Sequence, residues 1–301
     1  MMRKAPVFVA LLILSACGSG EMQQAKEKFD WQGHRGARGQ APENTVSGMR
    51  LALQAGVRTL EMDVVVTADD VVVLSHEPYL NPQICLDSNG QELADTGKRY
   101  NIYTLTFSEL QKFDCGTKPH PDFPGQEHYP AAKPSLEETI LASEEMVLTT
   151  GREEVYYNVE VKSRPEWDGH FHPPVEAFVD AVVSVLRRAR VLERTTLQSF
   201  DLRALRYAEK RYPELKLSLL LENGDPQQAL QELGFLPAVF SCHHEMLNRA
   251  RVKELQALGL EVLPWTVNDI GRAEELMEMG VDGIITDYPS RLIPALSEGQ
   301  N

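Results

Sequence analysis

The sequence predicts an α/β fold, a TIM (β/α)8 barrel with an insertion after its third strand. Three observations predict it. Short β-rich apolar runs alternate with amphipathic helical patterns along most of the 301 residues, which implies a parallel sheet. The chain is long enough for one such barrel. One proline- and glycine-rich stretch, about 78–134, breaks the alternation once.

The strand candidates are 29–34, 58–67, 71–77, 155–162, 195–200, 216–222, 238–244, 261–268 and 282–287. Helical patterns fill 45–56, 135–146, 174–191, 201–212 and 271–280. Thr45 suits a helix start, and Gly56 and Gly280 fall where helices stop. The strand runs number one more than a barrel needs. The surplus lies in VVVTADDVVV (64–73), whose turn is too short for a parallel crossover. Either these two runs form a hairpin-like extension, or one of them stands outside the barrel. The irregular stretch 78–134 follows the third run. It would sit at the face where barrel strands end, and long loops of this kind usually serve function.

The first residues read as a separate segment. MMRKAPVFVALLILSAC has Arg3 and Lys4, then an apolar run to Leu14, then small residues. This is the three-part pattern of an export signal, and the run is too short to span a bilayer. Its ending, Leu14 to Cys17, resembles the bacterial lipobox, which implies a signal over 1–16 and an acyl chain on Cys17. Residues 17–28 then read as a tether and 29–301 as the barrel domain. The expected location is the periplasmic or cell-surface side of a membrane, anchored by lipid. Of the remaining cysteines, Cys85 and Cys115 share the irregular stretch and are the expected disulfide pair. Cys242 ends an apolar run and reads as a buried free thiol. The formal charge of −14 argues against nucleic acid as a partner, because phosphate backbones require basic patches.

The chemistry gathers at the ends of the apolar runs, where the active site of such a barrel lies. The first ends in His34-Arg35. The second carries Glu61 and Asp63, two apart and so on one face. The third ends in His76, and the fourth carries Asn158, Glu160 and Lys162. Gln198, Trp265, Asn268 and Asp287 close later runs. Carboxylates facing inward cost several kcal/mol unless paired or bound to metal. Three of them, Glu61, Asp63 and Glu160, exceed what Arg35 and Lys162 would neutralise. A hard divalent cation would complete the set, and oxygen ligands favour Mg²⁺ or Ca²⁺ over zinc. Two histidines beside such an ion suggest acid and base catalysis. Arg35 and Lys162 suggest an anionic substrate. Together they read as metal-assisted cleavage of a small phosphodiester.

HRG, PENT, LEMDVVVT, VVLSHE, NVEVK, PWTVN and GIITDYP occur in this order between residues 34 and 289. In this order they resemble the glycerophosphodiester phosphodiesterase family. The resemblance implies a TIM barrel with one divalent metal and an insertion where 78–134 falls. It implies that His34 and His76 are the catalytic acid and base, and that Glu61, Asp63 and Glu160 hold the metal. It places Arg35 and Lys162 on the phosphate, Glu43 at the metal shell or substrate, and Gln198 and Trp265 in the pocket. Many members carry His-Asp where this chain has His76-Glu77, which puts the positioning of His76 in question.

The expected reaction is hydrolysis of glycerophosphodiesters to glycerol 3-phosphate and an alcohol. Water or the substrate's own 2-hydroxyl is the nucleophile. The alternatives are a lysophospholipid-directed phosphodiesterase and a non-catalytic surface-binding lipoprotein.

Overall fold

The computed structural model describes residues 29–94 and 100–297. The expected signal, the acylated Cys17 and the tether lie outside the described residues. The barrel consists of eight parallel strands. They are β1 (Asp30–Gly33), β2 (Thr59–Val66), β4 (Tyr156–Val161), β5 (Thr195–Ser199), β6 (Lys216–Leu221), β7 (Val239–Cys242), β8 (Glu261–Val262) and β9 (Gly283–Thr286). The surplus run is β3 (Val72–Leu74), which pairs antiparallel with β2 and stays outside the barrel. Both readings of the surplus are met at once: the two runs pair as a hairpin, and its second strand stands outside the barrel.

The strand 261–268 is shorter than its pattern because Pro264 has no amide to offer a ladder. The barrel still closes there. The Asp282 and Ile285 amides donate to Val262 and Pro264, and the Val267 amide donates to Ile285.

The outer layer contains α1 (Val46–Ala55), α3 (Leu136–Thr150), α4 (Val175–Arg188), α5 (Leu202–Arg211), α6 (Pro226–Leu233), α7 (Arg249–Ala257), α8 (Ile270–Met279) and α9 (Pro289–Ser297). The Thr45 side chain accepts from the Gly48 amide and starts α1, while Gly56 ends it at φ +100°. Ser135 and Glu138 form a reciprocal cap on α3.

Alternation along the strands sorts the interior. Leu60, Met62 and Val64 on β2 face the helices and join one large core with Met49, Leu53 and Phe178. Glu61 and Asp63 face inward between them. Val65 joins a second core with Val73, Leu80, Ile84, Ile102 and Leu110, built around the Cys85–Cys115 disulfide. The irregular stretch is thus a folded cap with its own apolar centre and a short helix, α2 (Phe107–Leu110). Cys242 is buried and free.

The bridge closes a sequence separation of 30 residues. Replacing both Cys85 and Cys115 with Ser is expected to lower the unfolding free energy by about 3 kcal/mol on loop-closure grounds. The check is the urea midpoint of the oxidised protein against the double variant; coincident midpoints would refute it.

Candidate active site

At the C-terminal ends of the barrel strands a cavity of about 700 Å³ opens. Its lining includes His34, Arg35, Glu61, His76, Glu160, Lys162, Gln198 and Trp265, eight of the ten residues expected from sequence. Asp63 lies beneath the floor, only 1 % exposed. Glu43 stands behind the wall, where its Oε2 pairs with Arg35 Nη1 at 3.0 Å. It holds the guanidinium rather than facing the cavity.

The strand-to-helix turn after β1 makes this possible. Arg35 is in the left-handed region at φ 49° and Gly36 follows at φ 86°. A Cβ on Gly36 would lie 2.6 Å from the Gly48 backbone carbon, so α1 packs directly onto the turn. Turned this way, the Arg35 amide donates to Glu61 Oε2 at 2.8 Å. The Arg35 side chain runs back along Asp63, with Nε 3.1 Å from Oδ2.

Glu61, Asp63 and Glu160 bring ligand oxygens within 4.8 Å of one another, and all three are buried. Asp63 is matched by Arg35 and, at 3.8 Å, by Lys162; Glu160 is matched by Lys162 at 2.9 Å. Asn44 also clasps Asp63, donating from Nδ2 at 3.0 Å. Glu61 has only the Arg35 amide and the Gln198 amide, at 2.9 Å from Oε1, and no ion pair among the described residues. Burial, then the neighbouring Asp63 charge, pushes the Glu61 carboxyl well above its usual range. Burial also works against Asp63, but Arg35 and Lys162 overcome it and hold that carboxylate well below its usual range. One carboxylate too many for the cations present, in an all-oxygen set, fits a bound metal ion.

Both histidines are oriented through Nδ1. His34 Nδ1 contacts Asp287 Oδ1 at 2.6 Å, and Asn268 donates to the other oxygen of Asp287 at 2.7 Å. Burial lowers the His34 pKa against the pull of Asp287. Burial would also raise Asp287, but His34 and Arg38 hold it well below the carboxylate range. His76 Nδ1 contacts Glu77 Oε1 at 2.9 Å. Despite burial, that contact takes Glu77 down to about 2. In each pair the carboxylate fixes the ring and leaves Nε2 for the cavity. Glu77 therefore does for His76 what Asp287 does for His34, which answers the question raised by His-Glu in place of His-Asp.

In the sequence Asp287 and Asn268 stand out as strand-end polar residues, but nothing local joins them to His34, and nothing marks a role for Arg38. The signal for Asn44 lay in PENT itself, since an amide beside the Glu can both donate and accept.

A family model described as the glycerophosphoryl diester phosphodiesterase family matches residues 34–291. A glycerophosphodiester phosphodiesterase of Caldanaerobacter subterraneus is 27% identical over 271 residues, covering 88% of this chain and 97% of that protein. A crystal structure from Silicibacter pomeroyi, described as a candidate glycerophosphoryl diester phosphodiesterase, superposes with a TM-score of 0.80 at 32% identity. It covers 90% of this chain and 94% of that one. A phosphodiesterase from Oleispira antarctica, solved with the product sn-glycerol-3-phosphate, superposes at 0.70 with 25% identity, covering 89% and 97%. With its barrel, its buried carboxylates and its two carboxylate-held histidines, the chain belongs to the glycerophosphoryl diester phosphodiesterase family.

Proposed function

We propose that this chain hydrolyses glycerophosphodiesters to glycerol 3-phosphate and an alcohol, using one divalent cation, Mg²⁺ or Ca²⁺, held by Glu61, Asp63 and Glu160. The observation that carries the reading is Glu61, a buried carboxylate without an ion pair beside two paired ones. A cation there would polarise a phosphoryl oxygen and stabilise charge on it. Arg35 and Lys162 line the same cavity and supply positive charge to the remaining phosphate oxygens. Of the two histidines, one takes the proton of the attacking hydroxyl at Nε2 and the other returns a proton to the leaving alcohol. Asp287 and Glu77 keep both rings aimed. The product named for the Oleispira antarctica structure supports glycerol 3-phosphate as the product here.

We also propose that the enzyme is exported and held by lipid on Cys17. The lipobox-like ending supports this, as does the Cys85–Cys115 disulfide, a bond that persists in oxidising compartments. No helix of the described residues is long and apolar enough to cross a membrane.

The direct test is release of glycerol 3-phosphate from glycerophosphocholine and glycerophosphoglycerol with Mg²⁺, with Ca²⁺ and with a chelator. Metal-dependent release is expected, and His34→Ala or His76→Ala should lower kcat roughly 10²- to 10⁴-fold. Asp287→Asn should lower kcat with little change in KM, because it disturbs ring orientation rather than binding. Cleavage of lysophospholipids alone would replace the substrate class, and no cleavage of either would favour the binding-module alternative.

A carboxyl whose folded pKa is raised binds its proton more tightly folded than unfolded. Without divalent cation, the Glu61 contribution should therefore be present at low pH and lost as pH rises from the ordinary carboxyl range through the raised value. Saturating cation should remove that loss and add about 2.7 kcal/mol at a hundred times Kd. Thermal unfolding across pH with and without Mg²⁺, in the native chain and Glu61→Gln, checks this. A cation effect that persists in Glu61→Gln would contradict it.

A further inference from the structure

Lysine is almost never fully buried unless it is paired. Lys133 breaks that rule. It is 3 % exposed, and its ammonium has no hydrogen bond and no ion pair among the described residues. In the sequence it reads as an ordinary loop cation, in YPAAKPSLEE just ahead of the Ser135 cap on α3. The backbone carries it inward instead. The Leu74 amide donates to the Pro134 carbonyl at 2.9 Å, and Val73 pairs antiparallel with Ser135. That register sets Lys133 opposite Ser75, close in the chain to His76 and Glu77. The Lys133 carbonyl is fixed as well, accepting from the Gln111 side chain at 2.7 Å.

Burial lowers the Lys133 pKa, against the pull of Glu43, Glu77 and Asp63. An ammonium placed there costs stability, since no contact compensates its lost hydration. Each of the three carboxylates could be what it serves. Glu43 is taken by Arg35 at 3.0 Å, and Asp63 by Arg35 at 3.1 Å and by the Asn44 amide at 3.0 Å. Glu77 is different. Its Oε1 takes His76 Nδ1 at 2.9 Å, but its Oε2 is buried without a hydrogen-bond partner.

Glu77 also has somewhere else to go. It lines the cavity beside His76, and its side chain is 22 % exposed. Turned outward, the carboxylate would recover water and release the ring. Lys133 is not among the lining residues and lies on the protein side of that wall. Where water is excluded, a charge acts beyond contact distance. A buried ammonium therefore favours the inward carboxylate, the one that holds His76.

We propose that Lys133 is a positioning residue: its buried ammonium keeps the Glu77 carboxylate turned in on His76 and so keeps that ring aimed into the cavity. The consequence for turnover rests on the diesterase reading; the hold on the ring does not. The test is Lys133→Met in the full chain, which keeps an unbranched side chain of similar length and removes the charge. With glycerophosphocholine, kcat should fall roughly ten- to a hundredfold, as for other partners that orient a reacting group, while KM hardly moves. Tm should hold or rise, because a buried charge has gone. In a chain already carrying Glu77→Gln, the same substitution should cost little further activity. In protein with isotope-labelled histidine, the ring-nitrogen signals of His76, assigned by their loss in His76→Ala, should shift in Lys133→Met while those of His34 stay. Unmoved His76 signals, a kcat unaffected by Lys133→Met, or an equal loss in the Glu77→Gln background would overturn the proposal. So would a Tm that falls with the activity, since Lys133 would then serve the fold. If no diester is cleaved but the His76 signals still answer to Lys133→Met, the reaction is lost and the hold on the ring stands.

Discussion

Three carboxylates buried within one apolar barrel form the constraint around which the rest of the site is arranged. Glu61, Asp63 and Glu160 are each at most 7 % exposed, and water cannot screen their repulsion. Every polar group nearby answers to them. Arg35 bends its own backbone into the left-handed region to place an amide on Glu61 and a guanidinium on Asp63. Asn44, also at positive φ, both donates to Asp63 and accepts its amide. Below them, Gln32, Asn158 and Gln198 link amide to amide across β1, β4 and β5 and end on Glu61. The network still leaves Glu61 without a positive partner, and that shortfall is the structural basis for assigning a cation.

The cap formed by the insertion is part of this arrangement. The Gln126 side chain donates to the Arg38 and Ala41 carbonyls, holding the turn after β1 from above. Phe123 lies under the Arg38 guanidinium at 4.6 Å, and Arg38 in turn reaches Asp287. Lys133, at the end of the cap, is 3 % exposed; burial lowers its pKa, against the pull of Glu43, Glu77 and Asp63. The cap therefore supports the His34–Asp287 pair through Arg38. A disulfide-stapled core is a reasonable platform for that task, since short irregular chain alone holds side chains poorly.

Much of this was legible in the sequence because it follows from period two. Glu61 and Asp63, or Glu160 and Lys162, declare a shared face by spacing alone, and the barrel follows from alternating strand and helix patterns. What the sequence did not reveal depends on long-range contact. Asp287 lies 253 residues from His34, so nothing local marks it as the partner of that ring. The hairpin role of β3 required knowing which neighbour β2 would take in the sheet. The shortening of β8 came from Pro264, a local signal outweighed by the apolar pattern around it. The cap read as irregular because its apolar residues are scattered and meet only around the disulfide. Glu43 was grouped with the reactive residues by its motif, but its contact is with Arg35, one layer behind the cavity.

The Glu61, Asp63 and Glu160 cluster has the oxygen ligands for a divalent cation. The decisive measurement is calorimetric titration of Mg²⁺ into the chelator-stripped chain. One ion should bind per chain, and that binding should be lost in Glu61→Gln. Absence of binding, or binding untouched by Glu61→Gln, would contradict it.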